Sequence, residues 1–154
     1  MSVKVKGLDQ ALKALEGQGD KAVQAVKDVL ADVATGIELK AIQNAPSQFA
    51  GLDLNIKQRI DKVVEENGLV WKVGIQAADP EFEIEAWLEF GTGLSAKEIL
   101  NRPNYTAEIR DLAYQFYRNG QGTIVGRPYL FPAFFSETAN IVQEIESEID
   151  KATK

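Results

Sequence analysis

The chain has 154 residues, which suits a single domain, and a compact domain of this length buries roughly 70% of the surface that its unfolded chain exposes. It contains no cysteine and no histidine, which excludes thiolate chemistry, cysteine-based zinc sites and every Ser-His or Cys-His catalytic arrangement. The net charge of −6 argues against a protein whose main task is to grip nucleic acid, because that binding depends on Lys and Arg neutralising phosphates.

The first elements are a strand and two helices. Val3 and Val5 alternate with lysines, which predicts a short strand at a sheet edge. Leucines at positions 8, 12 and 15 predict a short helix that ends at the Gly17-Gln18-Gly19 segment. Asp20 is then the predicted N-cap of a long helix that ends at Asn44, before Pro46. Its apolar stripe is Val23, Val26, Leu30, Val33, Ile37, Ala41 and Ile42.

A loop and a β-hairpin are expected next. Residues 45–51 contain Pro, Ser and Gly and predict a loop. Residues 54–64 fit either a strand or a helix by spacing alone. Asn67-Gly68 favours a type I′ turn, and apolar residues alternate strictly after it, so we predict a hairpin with Val63 and Val64 on its first arm.

Residues 79–125 predict mainly short helices. Residues 82–90 fit a strand or a helix, and we favour a short helix that ends at Gly91-Thr92-Gly93, because glycine is a common C-terminal stop. A helical turn at 97–100 is expected to precede an amphipathic helix from Tyr105 that ends at Asn119-Gly120. Residues 123–125 are predicted to form a strand.

The C-terminal segment predicts an amphipathic helix with an acidic outer face. Pro128 and Pro132 hold the chain extended, and Pro132 suits the first helical turn, where its missing N–H is not needed. The large side chains between these prolines exceed what a helix start requires, so a second core layer or a partner subunit should cover them. The apolar stripe is Phe131, Phe134, Phe135, Thr138, Ile141, Val142, Ile145 and Ile149.

Charge is unevenly distributed, and it predicts no ligand site. Residues 79–90 hold five acids and no base, whereas residues 91–127 are mildly basic. The Gly91-Thr92-Gly93 sequence lacks the pattern of a phosphate loop, and glutamates spaced by two on a helix point in different directions. We therefore expect no metal and no cofactor. No apolar run approaches the roughly 20 residues that a bilayer demands, and the N-terminus is charged, so we expect a soluble protein made in a cytoplasm.

The order of these motifs resembles a known family. The resemblance lies in the order of four elements: a long helix that ends in Asn-Ala-Pro, a hairpin, a Trp87-Leu88-Glu89-Phe90-Gly91-Thr92 segment and an Arg127-Pro128-Tyr129-Leu130-Phe131-Pro132-Ala133 segment. With these elements, the chain resembles the neck or tail-completion proteins of long-tailed bacteriophages, also described as minor tail or head-tail joining components. The resemblance spans nearly the whole chain. The chain departs from the family in a helical insertion at 95–125 and in Phe131, where relatives often have Arg.

The resemblance implies a non-catalytic structural protein of the virion. We expect one α+β domain, residues 1–154, with a small, mostly antiparallel sheet packed against the long helix and the C-terminal helix. The family assembles as a ring, expected here to be a hexamer, at the head-tail junction, where it contacts the tail tube protein and the head connector or head-closure protein. It acts as a neck protein or tail terminator, assembled in the host cytoplasm. DNA would pass through the lumen without specific binding, and no membrane is involved.

The expected subunit interface combines both motifs with arginines of the basic region, and the acidic residues 79–90 are expected to face that basic region of a neighbour. The alternative is a non-catalytic phage or prophage binding module that holds a host protein through the same aromatic residues. An enzyme that uses carboxylates, at Glu85 or Glu89, is the third possibility. The predicted interface residues are Trp87, Glu89, Phe90, Gly91, Thr92, Arg127, Pro128, Tyr129, Leu130, Arg102, Arg110 and Arg118.

Overall fold

A computed structural model describes the chain at residues 1–6, 19–49, 52–53, 55–75, 84–93, 96–98, 101, 103, 105–119 and 124–153. The fold is α+β, as predicted, with a small antiparallel sheet and two helical segments packed together against it. The predicted helix at residues 8–15 lies outside the described residues. Among those that are described, no helix is long and apolar enough to cross a bilayer.

The sheet has three strands in the order β1, β5, β4: β1 is Ser2–Lys6, β4 is Ile60–Glu65 and β5 is Val70–Ile75. Both neighbouring pairs are antiparallel, which confirms the hairpin and the edge position of β1. Residues 45–51 were predicted to form a loop, but β2 (Gln48–Phe49) lies inside that range and pairs with β3 (Leu52–Asp53) just after it. A short helix, α2 (Ile56–Arg59), precedes β4.

The hairpin turns at the predicted Asn67-Gly68 pair. Glu65 pairs with Val70, so the four residues 66–69 connect the last paired positions of β4 and β5. Glu66, Asn67 and Gly68 all have positive φ (49°, 54° and 93°), and the Leu69 N–H donates to the Glu66 carbonyl at 3.2 Å. Positive φ at both central residues, together with this bond from Leu69 to Glu66, is the arrangement of a type I′ turn, so the predicted turn at Asn67-Gly68 is confirmed.

The long helix α1 (Asp20–Asn44) forms the centre of the fold. Its predicted length is confirmed, but Gly19 is the N-cap and Asp20 is already helical, so the predicted Asp20 cap is wrong. Gly19 has φ +81°, which a glycine adopts without steric cost. Side chains at helical spacing are buried on one side, and Val23 and Ile42 lie at its margin; the buried set is Ala22, Val26, Val29, Leu30, Val33, Ala34, Ile37 and Ala41.

One face of the sheet packs on α1. Val3 and Val73 are buried, and Lys62, opposite Val73 in the ladder, donates to Thr35 Oγ1 at 2.9 Å and pairs with Glu38 at 2.8 Å. The lysine stem therefore covers apolar surface while its ammonium group reaches two acceptors on the helix.

The C-terminal segment is two helices rather than the predicted single one. α5 (Leu130–Thr138) and α6 (Ile141–Ala152) are separated at Ala139–Asn140, where Asn140 leaves the helical region with φ −116° and ψ 11°. The change of direction keeps Ile141 and Ile145 buried, whereas Val142 is 48% exposed and lies outside the apolar stripe assigned to it. Both helices lie on α1, with Lys40 of α1 paired to Glu137 of α5.

Two further helices are confirmed: α3 (Ile84–Phe90), which resolves the strand-or-helix alternative, and α4 (Ala107–Asn119). Residues 96–98 form a helical turn, as expected. Ile124 and Val125 belong to no strand, so that prediction is wrong for both, while Thr123 lies outside the described residues. The chain before α4 packs on α5 through aromatic side chains, because Tyr105 contacts Phe131 and Phe135 edge to face at 5.7 and 5.4 Å between ring centroids.

Candidate functional site

The most unusual side chain of the described protein is Glu89, a fully buried carboxylate at the end of α3. Its Oε2 accepts hydrogen bonds from the backbone N–H groups of Tyr129 and Leu130 at 2.8 and 2.9 Å, and its Oε1 accepts from Phe131 at 3.1 Å. Tyr129 is the N-cap residue of α5, so Glu89 caps this helix from a distant part of the chain.

Glu89 supplies the hydrogen-bond acceptors that the first residues of α5 lack. The first N–H groups of a helix have no intrahelical acceptor, and the positive end of the helix dipole favours a negative charge there. The N-cap Tyr129 forms no side-chain cap bond, and Pro132 has no N–H to satisfy. One carboxylate with acceptor sites on both oxygens therefore serves the three N–H groups that precede the proline.

Residues 124–129, which we call the strap, run past the end of α3 in close backbone contact. Thr92 N–H donates to the Ile124 carbonyl at 2.9 Å, and Ile124 N–H donates to Thr92 Oγ1 at 3.0 Å. Further along, Arg127 N–H donates to the Leu88 carbonyl at 2.6 Å. A Cβ on Gly126 would lie 2.8 Å from the carbonyl carbon of Phe90, so the two backbones cross where only glycine fits.

A buried polar cluster continues from Glu89 toward α2. Glu85 is 3% exposed, and its Oε1 lies 2.8 Å from a guanidinium nitrogen of Arg59. The Tyr129 hydroxyl is fully buried and has no hydrogen-bond partner among the described residues. Burial raises the pKa of Tyr129 well above its usual value, the charges of Glu89 and Glu85 raise it further, and Arg59 opposes them.

The structure brings the two motifs of the predicted interface together within one subunit. Trp87 and Pro128 are half-buried, and Arg127 is exposed. Glu89, Phe90, Tyr129 and Leu130 have no exposed surface, and Gly91 and Thr92 are buried with them. The buried members contact their own chain, and their role at a subunit interface stays a prediction.

The arginines of the predicted interface are spread out. Arg110 is exposed on α4, Arg118 lies on the same helix, and Arg102 lies outside the described residues. Of the acidic segment 79–90, the described carboxylates of Glu85 and Glu89 are used inside the subunit. They are therefore not available to a neighbour, so the predicted contact between residues 79–90 and the basic region would require the acids at 79–83, outside the described residues.

Sequence reasoning missed two contacts around the two motifs. Arg59, which pairs with Glu85, had no recognisable signal. Asn44 belongs to the Asn-Ala-Pro motif, but its hydrogen bond from Nδ2 to the Tyr129 carbonyl, at 3.4 Å, was not foreseen. Glu89 was selected, but its role as a helix cap was not foreseen. A local capping box places the acid inside the first turn of its own helix, whereas Glu89 lies about forty residues earlier in the chain.

The arrangement has the properties of a structural joint. In the described part of the chain, no three acidic residues are grouped to hold a metal ion. The described cavities lie elsewhere, among them one of about 760 Å³ between α1 and α6 and one of about 410 Å³ over the outer face of the sheet. Comparison of the chain with protein-family models, curated proteins and solved structures gave no match.

Proposed function

We propose that this protein is a non-catalytic structural subunit of a virion, which forms a ring at the head-tail junction of a long-tailed bacteriophage. The proposal rests on the motif order that resembles the neck and tail-completion family. One structural observation supports it most: Glu89 of the first motif caps the helix that the second motif begins. Residues about forty positions apart thus form a single joint, which explains why both motifs occur together.

The surroundings of Glu89 favour a structural role for this carboxylate over a catalytic one. The oxygens of Glu89 are occupied by backbone N–H groups, and its side chain has no exposed surface. A general acid or base must reach the proton that it transfers, directly or through one water. Glu89 is placed to hold α5 and the strap in a fixed position, which an assembling subunit requires.

The outer side of the strap supplies a surface for assembly. Val125 is 68% exposed and Arg127 is exposed, although the N–H of Arg127 is fixed to the Leu88 carbonyl. Arginine is enriched at protein interfaces, and a backbone that is already held in place loses less conformational entropy when it binds. The proposed partners are further copies of the chain, the tail tube protein and the head connector or head-closure protein.

Measurement of the mass in solution tests the proposal. The purified chain is examined by native mass spectrometry, alone and with the tail tube protein of the same phage, and a closed oligomer is expected in at least one condition. Arg127→Glu should block assembly and leave the circular dichroism spectrum unchanged, while Lys57→Glu, the same charge change at a half-buried site on α2, should assemble normally. A wild-type monomer under both conditions would refute the ring.

A further inference from the structure

One cavity is a groove between the N-terminal half of α1 and α6. It has a volume of about 760 Å³ and an apolar floor that includes Ala25 and Val29. Four carboxylates line it, Asp28 and Asp32 from α1 and Glu144 and Glu148 from α6. We call this the α1–α6 groove.

The α1–α6 groove carries uncompensated negative charge. Its two lysines are Lys21 and Lys151, and Lys151 pairs with Glu148 at 2.6 Å. Asp32 and Glu144 are exposed and form no ion pair within the described part of the chain. Four carboxylates and two lysines give the groove a net negative charge above its apolar floor. Such a groove is complementary to a surface that presents a cation beside an apolar side chain.

The strap presents such a pair. Val125 has the largest exposed fraction among the described large hydrophobic side chains, and Arg127, two residues on, is exposed. Arg127 forms no ion pair with any described residue, and its backbone is held by Leu88. We call Val125 and Arg127 the strap surface. It combines an apolar side chain with a cation that pairs with no described residue.

The groove and the strap surface lie toward opposite ends of α1. The strap ends at Tyr129, whose carbonyl accepts from Asn44 at the C-terminus of α1. At about 1.5 Å per residue, Asp32 in the groove lies about 18 Å along the helix from Asn44. The two surfaces are too far apart to meet within one subunit, so each is open to another copy.

We propose that the strap surface of one copy docks in the α1–α6 groove of the next, with the Arg127 guanidinium between the carboxylates of Asp32 and Glu144. When each copy uses its strap on one neighbour and its groove on another, the contact is head-to-tail and closes as a ring or continues as a filament. A two-fold contact, in which each strap docks in the other copy's groove, would stop at a dimer, and the cross-linking pattern distinguishes the two. The inference rests on the proposed function and specifies the contact that would build the ring.

Cysteine cross-linking tests this contact, because the native chain has no cysteine. The double variant Val125→Cys with Glu144→Cys should give a ladder of covalent oligomers under mild oxidation, since each copy offers both halves of the contact. Each single variant should give none, and an equimolar mixture of the two should give a covalent dimer. Val125→Cys with Val64→Cys is the matched control, because Val64 is 51% exposed on β4, away from the groove, and no ladder is expected.

Charge reversal gives an independent test. Arg127→Glu and Glu144→Arg should each weaken self-association at least about tenfold, because each places like charges in contact. Mixed in equal amounts, the two variants should assemble again, since the glutamate introduced into the strap of one fits the arginine introduced into the groove of the other. The native strap of the second variant also still fits the native groove of the first. The readout is oligomer mass as a function of concentration.

The outcomes separate the contact from the ring. If the wild type assembles but the double cysteine variant gives no ladder and the charge variants do not rescue each other, the docking assignment is wrong and the ring proposal stands. Covalent dimers of Val125→Cys alone would show a symmetric contact and also overturn the assignment. A wild-type chain that stays monomeric, alone and with the tail tube protein, would refute the proposed function and the docking together.

Discussion

Replacement of Glu89 by glutamine tests the joint between the two motifs most directly. The side chain keeps its size, but one acceptor oxygen becomes an NH₂ donor. The amide oxygen can occupy the position of Oε2 and keep the bonds from Tyr129 and Leu130. The NH₂ group then faces the Phe131 N–H, which stood 3.1 Å from Oε1, and two donors meet inside the protein.

The expected loss follows from these contacts. A buried donor left without an acceptor costs about 1–3 kcal/mol. Removal of a negative charge from a buried helix N-terminus costs up to about 2 kcal/mol more, and the easier desolvation of a neutral amide offsets part of the sum. We expect Glu89→Gln to lower the free energy of unfolding by about 2–4 kcal/mol, which is a large share of the roughly 5–15 kcal/mol typical of a domain.

Urea unfolding followed by circular dichroism measures this change. Glu146→Gln is the matched control, because Glu146 is exposed on α6 and the same substitution there should stay within about 0.5 kcal/mol of the wild type. The slope of the transition should be unchanged, which shows that the same surface is exposed on unfolding. If Glu89→Gln is as stable as Glu146→Gln, the carboxylate does not cap α5 and the structural argument for the proposed function fails.

Two further predictions concern the same region. Gly126→Ala should lower the free energy of unfolding by about 1–3 kcal/mol, because the added Cβ would lie 2.8–2.9 Å from backbone atoms of Phe90 and Gly91. A variant as stable as the wild type would show that the two backbones do not cross there. For Tyr129 the native pKa is raised above the unfolded value of about 10, so its contribution to stability is complete below about pH 10 and is lost as the pH rises further. The free energy of unfolding of Tyr129→Phe should be at least that of the wild type at neutral pH and should fall less above about pH 10. Urea unfolding across that pH range measures both. If the two proteins lose stability equally above about pH 10, the Tyr129 hydroxyl is not buried.

The elements with strong local signals were predictable from the sequence. α1, the hairpin strands, α3 and α4 were all identified, because side-chain periodicity and glycine or proline stops act over a few residues. The local errors are at an end and a break: the N-cap at Gly19 and the interruption at Asn140. At such positions several backbone conformations have similar energies, and packing selects among them.

The joint itself was beyond the sequence. Periodicity places Glu89 on a helix, but it does not reveal that three N–H groups about forty residues later complete its hydrogen bonds. The same holds for Arg59 beside Glu85 and for the exposed Val125 and Arg127, since exposure depends on which elements cover which. The amino-acid sequence by itself determined α1, the hairpin strands, α3, α4 and an α+β class, because these follow from neighbouring residues. Only the tertiary structure decided which carboxylates are consumed inside the subunit and which remain open at its ends, because burial and pairing depend on contacts between distant parts of the chain.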